Sequence, residues 1–188
     1  MLMERLFSTG VMKMGPSRVD PQRQVGVFNP GYVSGLPELR AAELDKFRWL
    51  IGEWNFENGV PATRVSPAYG DIGVARFSFS QRLNWICMQA PDGAEIPQIT
   101  FDPFSRQWVY LLMMGSYGML RSPEGWFGDK IEFTGSMTMI GVNCLWRMRW
   151  TREGEEAFSF INEECTETGE WAYIDEWRFK RPAVPQGV

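Results

Sequence analysis

The chain predicts an all-β fold: a single closed antiparallel meander barrel of about 8–10 strands, with a short N-terminal helix before the first strand. Three observations carry that prediction. From Glu53 onward, apolar and polar side chains alternate with the period of two that half-buried strands require. Short turn signals separate the runs, and no second helical pattern intervenes, which argues against a parallel βαβ sheet. The 188 residues include nine Trp and thirteen Phe, side chains that favour strands and fill a large core.

Residues 1–35 read as an irregular arm, because Gly15-Pro16, Asp20-Pro21, Asn29-Pro30-Gly31 and Gly35 interrupt any regular element. The remaining residues, 36–182, read as one barrel domain, a length that suits a single all-β unit. A helix is expected from Pro37 to Leu50. Pro37 suits a first turn, Glu38 suits the positive end of the helix dipole, and Leu36, Leu39, Leu44, Phe47, Leu50 and Ile51 form an apolar stripe. Gly52 is expected to end the helix as a left-handed cap.

Strand runs follow at 53–58, 72–81, 84–90, 95–102, 107–115, 117–121, 126–134, 137–151, 156–165 and 171–181. Asp92-Gly93, Asp102-Pro103, Pro123-Glu124-Gly125, Glu153-Gly154 and Thr168-Gly169 supply turn chemistry between them. Connections this short pair neighbouring strands antiparallel, and closure into a barrel removes the exposed edges. Glycines at 115, 118, 135 and 141 are read as positions where the sheet bends at barrel corners.

Composition removes several functions. The chain has no histidine, so neither a Ser-His-Asp nor a Cys-His arrangement can be built. Cys87, Cys144 and Cys165 form no CxxC pair, so no metal site is expected, and three separated thiols fit a reducing, cytoplasmic setting. Net charge is −4 with no basic run, so no nucleic-acid partner is expected. The first residues carry Glu4 and no signal-peptide core, and no stretch of 18 apolar residues occurs, so no membrane partner is expected either.

Three segments carry a resemblance to a known group: Leu50-Ile51-Gly52-Glu53-Trp54, the Phe101-Asp102-Pro103 turn before Gln107-Trp108, and the Trp177-Arg178-Phe179 ending. Over about residues 47–181 the chain resembles the lipocalin-like (calycin) superfamily. More narrowly, it resembles an uncharacterised bacterial family of lipocalin-like domains of unknown function. The resemblance implies a helical lid and a tryptophan, here Trp54, that closes the barrel base beneath a basic side chain of the last strand. Arg178 is the expected partner, with Lys180 or Arg181 next. Nitrobindin-type barrels of similar shape bind haem through a histidine. This chain has none, so no haem of that kind, and no other cofactor, is expected unless Tyr, Met or Cys substitutes as ligand.

Candidate chemistry comes from the alternation. Trp171, Tyr173, Asp175, Trp177 and Phe179 are expected on one face of the last strand. If that face is the lumen, Asp175 and Tyr173 are the catalytic candidates, because burial among aromatics raises a carboxyl pKa toward a usable acid or base. The plainer reading pairs Asp175 with Arg147 or Arg149. Glu163 and Glu164 point to opposite faces, so only one is internal. Arg76, with an arginine at 147 or 149, is positioned in this reading to clamp a ligand carboxylate, although a solvated outer face is the plainer account. Met113, Met114, Met119, Met137, Met139 and Met148 suit either an adaptable pocket or an ordinary core. The expected ligand-binding set is Arg76, Met113, Trp146, Arg147, Met148, Trp171, Tyr173 and Asp175.

These features lead to a barrel that binds a small apolar or aromatic molecule in its lumen. Two alternatives stay open. One is a cofactor-free isomerase, cyclase or lyase using Asp175 with an arginine, and the other is an oligomeric protein with a solid core. A homodimer through the N-terminal arm is the expected assembly.

Overall fold

The computed structural model describes residues 35–62, 67–80, 84–89, 93–114, 116–139 and 141–183. The expected irregular arm lies outside the described residues, apart from Gly35. Residues Glu38–Val188 belong to one compact unit.

The helix α1 spans Leu36–Asp45 and is shorter than its apolar stripe implies. Hydrogen bonds from Lys46 N to Glu43 O and from Phe47 N to Leu44 O, both 3.0 Å, tighten the chain after Asp45, and a 3₁₀ turn follows at Arg48–Leu50. The tighter winding drops Phe47 and Leu50 into the barrel, where both are fully buried with Leu44. Arg40 Nε donates to Phe101 O at 2.9 Å and ties the helix to the sheet.

Among the described residues eleven strands follow: β1 (Gly52–Val60), β2 (Tyr69–Phe79), β3 (Ile86–Gln89), β4 (Glu95–Asp102), β5 (Gln107–Met114), β6 (Ser116–Ser122), β7 (Trp126–Phe127), β8 (Lys130–Met139), β9 (Val142–Arg152), β10 (Ala157–Cys165) and β11 (Trp171–Lys180). All pairings are antiparallel, in the order β6-β5-β4-β3-β2-β1-β11-β10-β9-β8, and β6 pairs again with β8 to close a ten-strand barrel. The two-residue β7 lies outside the ring and pairs with β8 below β6.

Closure depends on two inward glycines. Gly118 faces Met137 and Gly135 faces Leu120 across the β6–β8 seam. A Cβ on Gly118 would lie 2.7 Å from Ser136 O, and one on Gly135 would overlap the Met119 carbonyl oxygen. The sheet therefore bends here by letting backbones approach closely. Gly135 sits mid-strand, so β8 runs through the expected break at 135–136, and the chain turns instead at Gly141, with φ +78.

The end of the barrel that meets α1 is its base, and it is packed with aromatic rings. Phe47 lies 4.8 Å from Trp108 and 4.9 Å from Trp126, while Trp54 meets Phe158 at 4.9 Å, all centroid to centroid. Trp54 is fully buried, and its Nε1 donates to Leu50 O at 2.7 Å. The cation over its ring is Arg181, whose Cζ lies 3.8 Å from the centroid. Arg181 also donates to Glu53 O, Trp49 O and Ile51 O at 3.1, 2.6 and 3.0 Å. This corrects the choice of Arg178, which pairs across from Glu57 on the outer face and meets Glu57 and Glu176. Gly52 also has a different role from the expected helix cap. It opens β1 at φ +113, and a Cβ there would lie 2.8 Å from Arg181 Nη1, so the glycine leaves room for the guanidinium.

Candidate functional site

Inner-face side chains change character along the barrel axis. At the base, Leu50, Trp54, Phe133 and Phe158 are fully buried in one continuous apolar cluster. Towards the opposite end, the mouth, the inner residues Phe56, Met88, Leu112, Met139 and Trp177 are only partly covered. Polar groups enter the inner face there. Asn58, Asn162 and Asp175 come from β1, β10 and β11, and Trp177 lies between Asn58 and Phe160 in register.

These groups form a connected network. Asn162 Nδ2 donates to Asp175 Oδ1 at 2.7 Å, and Trp177 Nε1 donates to Asp175 Oδ2 at 3.2 Å. Trp146 Nε1 donates to Asn162 Oδ1 at 3.1 Å, which fixes the amide so that its nitrogen faces the carboxylate. Asn58 also stands beside Asp175 and favours its charged form, while its Nδ2 donates to Glu176 O at 3.3 Å. Burial raises the Asp175 carboxyl above its ordinary value, and Asn162, Trp177 and Asn58 only partly offset it. The group is thus a half-buried carboxyl held by neutral donors.

A β-bulge decides which of the expected residues join it. The β10–β11 register shifts between Asn162 and Glu163, so Asn162 faces Asp175 while Glu163 faces Tyr173. Ile174 is the extra residue, and it reverses the face of everything towards Trp171. Tyr173, which is 47% exposed, and Trp171 therefore lie outside, a correction to the single face expected for Trp171 through Phe179. The two catalytic candidates, Asp175 and Tyr173, therefore do not share the inner face.

The other expected site residues divide the same way. Trp146 and Met148 are buried on the inner face of β9, beside Asn162 in register. Arg147 is on the outer face, where it and Arg149 meet Glu163 rather than Asp175, with Nε to Oε2 distances of 2.7 and 2.9 Å. Arg147 also stacks on Trp171, with Cζ 4.4 Å from the ring centroid. Burial alone would raise the Glu163 carboxyl, but the hydrogen bonds and charges of Arg147 and Arg149 hold it below its usual value. Arg76 is exposed on β2 and pairs with Glu53 at 2.6 Å. Strands β1, β11 and β10 separate it from Arg147, so the expected carboxylate clamp is not built. Met113 is 54% exposed on β5 and also faces outward.

The structure therefore brings together Trp146, Met148 and Asp175, and it adds Asn58, Asn162 and Trp177. Asn58 and Asn162 were open to detection as polar interruptions in alternating apolar strands. Glu164 also joins the inner face, opposite Trp146, and burial, with the Glu164 charge adding to it, raises the Cys144 thiol.

Recesses at the surface include the following two. One, of about 430 Å³ near the mouth, is lined by Glu57, Asn58, Asp71, Tyr173, Glu176 and Arg178 among others. A groove of about 640 Å³ on the outer wall is lined by Arg121, Phe127, Lys130, Glu132 and Arg149 among others. Among the described residues, no group of three or more Cys, Asp or Glu is arranged to hold a metal ion. No helix among them is long and apolar enough to cross a membrane.

The chain matches no protein-family model and no curated protein. Among solved structures, it is similar to that of Rv2717c from M. tuberculosis. The identity is 11%, the TM-score 0.49, and the match covers 75% of this chain and 98% of that one. It is also similar to a protein of unknown function from the DUF3598 family (Npun_R4044) of Nostoc punctiforme PCC 73102. There the identity is 14%, the TM-score 0.38, and the match covers 72% of this chain and 49% of that one.

Proposed function

We propose that this protein is a lipocalin-like (calycin) barrel whose mouth half binds a small apolar or aromatic molecule. The observation that supports the reading is the network around Asp175, a group of polar anchors above a solid aromatic base. Binding sites of small molecules combine apolar walls with a few placed polar groups in this way. Trp146, Met148 and Trp177 would supply walls, and Asp175, Asn58 and Asn162 would orient the ligand. Met148 suits ligands of varied shape.

The same reading places the protein in the cytoplasm, with Cys87, Cys144 and Cys165 as free thiols, and it includes neither nucleic acid nor a membrane. It keeps 1–35 as an arm on the 36–182 domain and assigns homodimer contacts to that arm. Native mass spectrometry of freshly purified protein tests these points together. The expected spectrum shows a copurified small molecule released on denaturation, on a dimer that becomes monomeric when 1–35 are deleted. Titration with tert-butylbenzene or naphthalene should change the fluorescence of Trp146 and Trp177. A ligand-free spectrum together with flat titrations would count against binding.

A further inference from the structure

We propose that the outer wall formed by β5, β6, β8 and β9 is a dimer face that packs against the same wall of a second copy of this chain. The assignment goes beyond the arm contacts proposed above, because it gives the dimer a second surface on the barrel itself.

The wall follows from register. Met113 pairs across from Tyr117 and Leu111 from Met119, and Ser136 links Met119 to Leu145 over the β6–β8 seam. Leu120, Met137 and Trp146 on the same strands are buried in the barrel, so alternation sends Tyr117, Met119 and Leu145 outward. They stay uncovered there: Met113 is 54% exposed, Tyr117 64%, Met119 45% and Leu145 44%. Paired side chains on one face stand about 5 Å apart, so these residues form one patch with Leu111 and Ser136.

Three properties fit this patch to a like face. Among the described residues, no charged side chain stands within it, so two copies meet without like-charge repulsion. Two of its polar side chains already partner each other, Thr138 Oγ1 donating to Asn143 Oδ1, which lowers the cost of excluding water. The exposed apolar side chains amount to roughly 450 Å², the apolar share of a standard interface that buries about 800 Å² on each partner. Met and Tyr are also residue types enriched at interface cores. The exposed apolar row of β2, Tyr69, Ile72 and Val74, lacks these properties. Ile72 pairs across from Glu57, and Glu57 from Arg178, so charges interleave with that row.

Sedimentation velocity over a series of protein concentrations tests the assignment with residues 1–35 in place. The wild type should dimerise. Y117K puts an ammonium on both sides of the symmetric contact and should weaken dimerisation by about tenfold or more. L145K should act in the same direction and serves if Y117K fails to fold, whereas I72K should leave dimerisation unchanged. Peroxide oxidation of Met113 and Met119, read by mass spectrometry, should slow when the protein is concentrated above its dissociation constant. A dimer that both wall variants leave intact, or that I72K weakens as much, would overturn the wall assignment and leave the arm reading standing. Oxidation of the two methionines at a rate independent of concentration would do the same. A wild type that stays monomeric throughout removes both readings.

Discussion

Replacing Arg181 by alanine removes the guanidinium that covers Trp54 and leaves the carbonyls of Trp49, Ile51 and Glu53 without their donor. The stacked cation contributes about 1 kcal/mol in a partly desolvated position. Hydrogen bonds from a charged donor are individually worth about 1.5–3 kcal/mol, but water reaches this half-buried site and replaces part of them, so about 2 kcal/mol is a fair total. The expected loss is therefore about 3 kcal/mol, or roughly 6–12 °C in Tm for a chain of this length. Urea unfolding followed by tryptophan fluorescence measures it, and near-UV circular dichroism should lose the signature of the packed Trp54 ring. R181K keeps the charge but not the planar fork, and it should recover less than half of the loss. R178A, which changes only an exposed side chain, is the control and should leave Tm unchanged. A shift for R181A no larger than that of R178A would refute this account of the base.

The remaining expectations concern the seam and the two buried carboxyls. G135A forces a Cβ into the Met119 carbonyl and should cost more than about 3 kcal/mol or prevent closure, seen as lost soluble yield. G141A meets open space at φ +78 and should cost only about 1 kcal/mol. E163A leaves Arg147 and Arg149 facing each other and should destabilise by about 2 kcal/mol, a figure reduced for the exposure of Arg149. Because the folded Glu163 carboxyl is held below 4.5, its contribution is present above that pH and disappears as pH falls through the folded value. Acid titration of unfolding should therefore show a loss in the wild type that E163Q lacks. Asp175 has the opposite sign. Its folded value lies above 3.8, so its contribution is full below 3.8 and disappears as pH rises through the folded value. The stability difference between wild type and D175N should change in that window by at most about 1.4 kcal/mol per pH unit, and a pH-independent difference would contradict the burial of this group.

Much of the barrel is legible in the chain because period-two alternation is a local property, and the expected runs match strands of the ring except at 126–134 and 137–151, which divide β8 in the wrong place. The departures occur where a residue's role depends on a distant one. Gly135 looks like a break from its neighbours alone, but it is a close approach to Met119 on another strand. The helix stripe continues to Ile51, yet the chain tightens after Asp45 because Phe47 and Leu50 fill the base. The site was less legible for the same reason. Asp175, Trp146 and Met148 could be placed together from alternation, whereas Tyr173 and Trp171 could not, since one inserted residue, Ile174, reverses the face beyond it.

By itself the sequence determined an all-β antiparallel barrel with a helix before it and the absence of histidine chemistry. These follow from residue type and short spacing, which act along the chain. Only the tertiary structure decided that Arg181 rather than Arg178 covers Trp54, that Glu163 rather than Asp175 takes the arginines, and that Asp175 keeps only neutral partners. Those outcomes depend on register and on one bulge. A shift of a single residue exchanges the two faces of a strand, and nothing in local composition records it.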